Sequence, residues 1–193
     1  MGTDDTWRKA LLNDYRIAYV FWGRGELDRC CHILPDSSIL VLIGSPIGDF
    51  TWKTVSELIS KATPADPFIV PWEGRVILFR IDPAGGTWTM WNDWLGSIPV
   101  FHANRGRGRI ASTLEPVTVA AAGFTPDEFF LPGLVSLLIN GHFLSDWTLY
   151  KEMKGVPPDS VTEWSESGFR TKQLFTVQPS QSRWEAGWND LVD

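Results

Sequence analysis

Between Arg75 and Pro116 the chain alternates strand-forming runs with clusters of turn residues, and this arrangement limits the possible folds more than any other feature. Val76-Ile77-Leu78-Phe79-Arg80-Ile81 is followed by Asp82-Pro83-Ala84-Gly85-Gly86, after which Thr87 to Trp91 resumes a strand composition. Proline presets φ and glycine admits positive φ, so the two runs predict a hairpin. A second turn is predicted from Asp93 to Pro99, inside Trp91-Asn92-Asp93-Trp94-Leu95-Gly96-Ser97-Ile98-Pro99-Val100-Phe101, and Arg109-Ile110-Ala111-Ser112 reads as a further strand. The middle third therefore predicts three or four adjacent antiparallel strands.

The flanking segments supply helices and more strands. Thr6 to Asp14 carries Trp7, Ala10 and Leu11 at helical spacing behind Asp4 and Asp5, which predicts a short amphipathic helix, and Tyr15 to Trp22 reads as a strand. Ser38 to Ile43 is apolar almost throughout, as expected of a central strand covered on both faces. Asp49 to Lys61 places Trp52, Val55, Leu58 and Ile59 on one helical face and stops before Pro64; a proline-rich loop, Thr63 to Trp72, follows. Thr125-Pro126-Asp127-Glu128 has the pattern of a capping box, Leu131 to Ile139 continues as an apolar helix, and Asn140-Gly141 suits a left-handed stop. Trp147 to Lys154 is expected to be a short turn or helix. Ser160 to Trp164 and Phe169 to Phe175 are expected to form two strands joined at Glu166-Ser167-Gly168. Strand groups flanked by helices predict a layered α+β domain.

The sequences G-x-V-I-L-F-R-I-D, W-N-D-W-L-G-S-I-P-V-F, A-S-T-L-E-P and L-Y-K-E-M-K-G-V-P-P-D-S occur in this order. In that order they resemble the N-terminal, class II glutamine amidotransferase-like domain of the asparagine synthetase family, with Leu95 to Val100 most similar to its β-lactam synthetase branch. Ordered matches run from Ile39 to Trp164. The resemblance implies the four-layer αββα sandwich of the N-terminal nucleophile hydrolases and marks Asp93, Gly96, Ser97 and Pro99 as the family-motif turn. It divides the chain into an amidotransferase-like domain, residues 1–178, and a segment, 179–193, that leads to or docks on a synthetase domain. That synthetase partner, in cis or in trans, is where ATP and magnesium are expected; this chain has no Ser-Gly-Gly-x-Asp-Ser nucleotide loop.

Active glutaminases of this class use an N-terminal cysteine, whose thiol attacks the amide while its α-amino group acts as base. Removal of Met1 here would expose Gly2, which carries no nucleophile. An Arg before a short strand and an Asn-Gly-Glu run, expected around bound glutamine, are missing. The expected function is thus a catalytically inactive domain serving as a structural or docking half of an amide-forming ligase. The alternative is an active glutamine-hydrolysing amidotransferase or other amidohydrolase whose nucleophile, Thr3, Thr6, Cys30 or Cys31, is exposed by processing.

The remaining candidates have plainer readings. Cys30-Cys31-His32 places soft ligands side by side, but adjacent cysteines seldom chelate one ion, so no metal site is expected. His102 and His142 stand alone, and Arg105-Gly106-Arg107-Gly108-Arg109 reads as a solvated hairpin tip. Among eleven tryptophans, Trp22, Trp72, Trp88 and Trp91 are expected to fill space between layers. Ser182-Arg183-Trp184-Glu185 is a second capping box, and Trp184, Trp188 and Leu191 follow as one apolar stripe, the expected docking surface for a partner or a second copy. A net charge of −6 gives no reason to expect nucleic acid or an anionic membrane, and no apolar run nears the roughly 20 residues of a membrane span. With no signal-peptide pattern and only two cysteines, a cytoplasmic location is expected.

Overall fold

The computed structural model describes residues 5–12, 17–24, 30–62, 68, 73–105, 108–165 and 168–174, the first two spans as backbone only. Trp72, Glu166, Ser167, Phe175 and the stripe Trp184, Trp188 and Leu191 lie outside these residues, as does nearly all of the loop from Thr63 to Trp72.

The described residues form an α+β arrangement of antiparallel sheets and three α-helices. Strands β1 (Asp5–Leu12) and β2 (Ile17–Arg24) pair with each other. A six-stranded sheet has the order β11 (Gly168–Gln173), β10 (Ser160–Ser165), β6 (Thr87–Asn92), β5 (Glu73–Asp82), β4 (Ile39–Ile47) and β3 (Cys31–Ile33). A three-stranded sheet has the order β8 (Gly108–Ser112), β7 (Phe101–Arg105) and β9 (Met153–Gly155). The helices are α1 (Trp52–Lys61), α2 (Glu115–Ala122) and α3 (Leu131–Asn140).

The apolar run at Ile39 is an interior strand because both of its faces are covered. Leu40 and Leu78 face α1, where they meet Val55, Ile59, Phe68 and Trp91. The alternate residues Val41, Ile43, Ile77, Phe79, Ile81, Trp88 and Met90 point the other way, toward Val100, Ala111 and Val156 of the smaller sheet and its flanks. The outer face of that sheet, with Phe101, Ala103 and Met153, packs against Val119 and Ala122 of α2 and against Phe124 and Tyr150. Trp88 and Trp91 therefore do fill space between elements, on opposite faces of one strand.

Helix α1 follows its sequence closely: Thr51 caps it by accepting the Thr54 N–H at 3.1 Å, and Lys61 lies in its last turn. The predicted hairpin of β5 and β6, the hairpin of β10 and β11, and the left-handed stop at Gly141 are all present.

Four expectations are corrected. Residues predicted as a helix from Thr6 to Asp14 lie largely in β1, whose eight residues pair in register with β2; a continuous ladder overrides the weak preference of so short a segment. The strands of the middle third are not all adjacent, since the Asp93 to Pro99 turn carries the chain from the larger sheet to the smaller one. The connection from Trp147 to Lys154 holds the expected turn at Lys151–Glu152 but ends in the start of β9, and Glu115 to Ala122, expected as neither helix nor strand, is helical, with Pro116 in its first turn. Arg105 is half-buried rather than solvated, whereas Arg109 is exposed as expected. Arg105 pairs with Glu128 at 2.5 Å and covers the Phe124 ring, and the Arg109 guanidinium lies 5.5 Å from the Trp164 ring centroid.

Candidate functional site

The motif turn begins where β6 ends. Asp93 is buried, and its carboxylate collects the donors of the segment that follows it. Oδ1 accepts the N–H of Leu95 at 3.0 Å and of Ser97 at 3.1 Å, together with the Ser97 hydroxyl at 3.0 Å. Oδ2 accepts the N–H of Val76 at 3.2 Å and shares that of Ser97. The Asp93 carbonyl accepts the N–H of Gly96 at 2.9 Å and of Asp159 at 3.1 Å. Arg75 closes the loop from outside by donating to the Ser97 carbonyl at 3.1 Å.

Gly96 is needed here for two reasons. Its φ of 60° lies in the left-handed region, and an added Cβ would come within 3.2 Å of Pro158. Pro99 is exposed, and Trp94 and Leu95 stand out at the tip of the turn.

A second polar latch lies alongside. Asn92 donates from Nδ2 to the Pro157 carbonyl at 2.8 Å and accepts the Ser160 N–H at Oδ1, also at 2.8 Å. The Ser160 hydroxyl donates to the Pro157 carbonyl at 2.8 Å. The two motif phrases containing Asp93 and Pro157-Pro158-Asp159 are thus brought together, and Asn92 and Ser160 complete the contact. Sequence reading missed both residues. Asn92 stands inside the W-N-D-W phrase, but only the pairing of β6 with β10 identifies its partner.

The chemistry of this arrangement is restrictive. A carboxylate surrounded by three backbone N–H groups and a hydroxyl has its lone pairs directed into the protein, so Asp93 holds a loop in place and has no acceptor left to take a substrate proton.

Among the described residues, the other candidates do not converge on the turn or on one another. Strand alternation sends Cys31 toward Val41 and Ile81, whereas the His32 ring stacks on Trp52 beside α1, with centroids 5.5 Å apart. Cys30 and Cys31 are both half-buried. Among the described residues no three His, Cys, Asp or Glu side chains gather as a metal site would require. The only Asn-Gly pair, Asn140-Gly141, serves as the end of α3.

Two groups have shifted proton affinities. His102, on β7, faces the larger sheet and stacks on Phe169 with centroids 4.3 Å apart; burial lowers its pKa to about 4, against the opposing pull of Asp146. Glu128 is lowered to about 2, first by the Arg105 guanidinium and then by the Thr125 N–H, which it accepts at 2.8 Å in the predicted capping contact. Both interactions join structural elements, and neither lies at the motif turn.

No protein-family model matches the chain, and comparison with curated proteins finds no match. Among the described residues no helix is long and apolar enough to cross a membrane.

Proposed function

We propose that this chain is the amidotransferase-like half of an asparagine synthetase- or β-lactam synthetase-like ligase, acting as a structural and docking domain without hydrolysing glutamine. The observation that carries this reading is the occupied carboxylate of Asp93: the most distinctive motif of the resemblance is built to lock Arg75–Val76, Asp93–Ser97 and Pro157–Ser160 together. The packing of α1, the larger sheet, the smaller sheet and α2 supports the finer assignment as a four-layer αββα sandwich. The absence of an Asn-Gly-Glu run and the use of Asn140-Gly141 as a helix stop favour loss of the glutamine site.

The ATP- and magnesium-dependent step belongs on this reading to the synthetase partner, and Trp184, Trp188 and Leu191 are its proposed contact. Ammonia release from glutamine, measured beside the intact mass of the purified protein, tests the proposal. Full-length mass with no ammonia above the uncatalysed background is the expected result. Ammonia production by a form cleaved before Cys30 or Cys31 would replace the reading with that of a processed amidohydrolase.

A further inference from the structure

Helix α3 buries Gly133 and Ser136, leaves Leu134 and Leu137 half-buried, and exposes a stripe of large residues. Gly133 brings the helix backbone against the Thr148 carbonyl, where an added Cβ would overlap the oxygen, and Ser136 donates to the His142 carbonyl at 3.1 Å. Leu131, Val135 and Leu138, spaced i, i+4 and i+7, are exposed together with Ile139; the values for Leu138 and Ile139 are 74% and 75%. Phe129 and Leu144 add exposed apolar surface just before and after the helix. The exposed side chains of α3 alone present on the order of 500 Å² of apolar area, the size at which a patch on a monomer usually marks a contact.

We propose that this face is the two-fold interface between two copies of the chain, with each α3 lying antiparallel against its counterpart. In such a contact a patch meets itself, so any charge within it meets a like charge near the axis. From Leu131 to Asn140 there is no charged residue, and an antiparallel pair also opposes the two helix dipoles favourably. Two α3 faces together remove about 1,000 Å² from water, the threshold for a specific interface, and Phe129 and Leu144 extend it. The inference rests on α3 alone and is independent of the ligase reading.

Sedimentation velocity of the full chain from about 1 to about 200 µM tests it. The sedimenting mass should rise from one chain toward two. Leu138→Glu should raise the dimer Kd at least about thirtyfold while leaving the circular dichroism unchanged, and the melting temperature unchanged at concentrations where the protein is a single chain. Ile33→Glu, at an exposed position on the β3 edge, should leave the Kd as it was. A one-chain mass at every concentration overturns the proposal, as does a dimer that survives Leu138→Glu or is equally weakened by Ile33→Glu. A protein that becomes dimeric only after Trp184→Ser and Trp188→Ser would show that its own C-terminal segment covers the face, which also overturns it.

Discussion

Helices α1 and α3 each have ten residues, yet they attach to the protein in opposite ways. Helix α1 inserts Val55 and Ile59 into the larger core and turns Lys53 and Glu57 to solvent. Helix α3 buries Gly133 and Ser136, half-buries Leu134 and Leu137, and turns Leu131, Val135, Leu138 and Ile139 outward. The first is held by side-chain volume and the second by close backbone approach. A helix can therefore be strongly apolar and still leave a whole stripe of its apolar surface outside its own domain, and such a helix has capacity left for another surface.

The sharpest way to break this comparison is to remove volume from α1. Ile59→Ala should lower unfolding free energy by about 3 kcal/mol, since it leaves a cavity between α1 and the sheet, and urea denaturation will measure the loss. Gly133→Ala comes next and tests the sign. Helix propensity alone would make this change stabilising by about 1 kcal/mol, whereas overlap with the Thr148 carbonyl should make it destabilising by about 2 kcal/mol. Stabilisation would show that α3 is not held by close approach.

Acid provides a third test that alters neither helix. His102 keeps its proton off in the fold down to about pH 4, while the unfolded chain takes one up near its ordinary value of 6.5. Stability is therefore complete above that ordinary value and falls as pH drops through this window, by on the order of 2 kcal/mol between pH 7 and pH 5. His102→Gln should flatten this part of the pH profile, and an unchanged slope would place the sensitivity elsewhere. The smallest effect is expected for Leu138→Ser, which should alter stability by no more than about 0.5 kcal/mol because the side chain is already in water. A larger loss in the monomer would mean that Leu138 is buried after all.

The same contrast explains what was legible in the sequence. Trp52, Val55, Leu58 and Ile59 share one face behind a threonine cap, so both the existence of α1 and its buried side could be read. The apolar helix was also legible at Leu131, but not its orientation, because large residues occur all round it. The only signal was the pair Gly133 and Ser136, whose value depends on the Thr148 and His142 carbonyls beyond the end of the helix. The helical spacing of Trp7, Ala10 and Leu11 misled because an eight-residue ladder to β2 outweighs the preference of one turn or two. The role of Asp93 as a turn-fixing acceptor follows from local spacing, since Leu95 and Ser97 are close in sequence. The Asn92–Ser160 contact joins residues 68 positions apart, and no local rule reaches that far.

That separation also bears on how the molecule assembles. Strand β6 lies next to β10 in the sheet, but β7, β8, α2, α3 and β9 all intervene in the chain. A growing polypeptide can form the β4–β5–β6 ladder early and must then leave one side of β6, with the backbone from Trp88 to Trp91 and its bulky neighbours, without a partner until Val161 to Trp164 has been made. Such a delay slows folding, because a long loop must close before its contacts contribute, and it leaves an exposed strand edge during synthesis. Exposure of that edge is therefore greatest in the interval between folding of β6 and arrival of β10, and the Asn92 side chain, waiting for Ser160 and Pro157, marks when that interval ends.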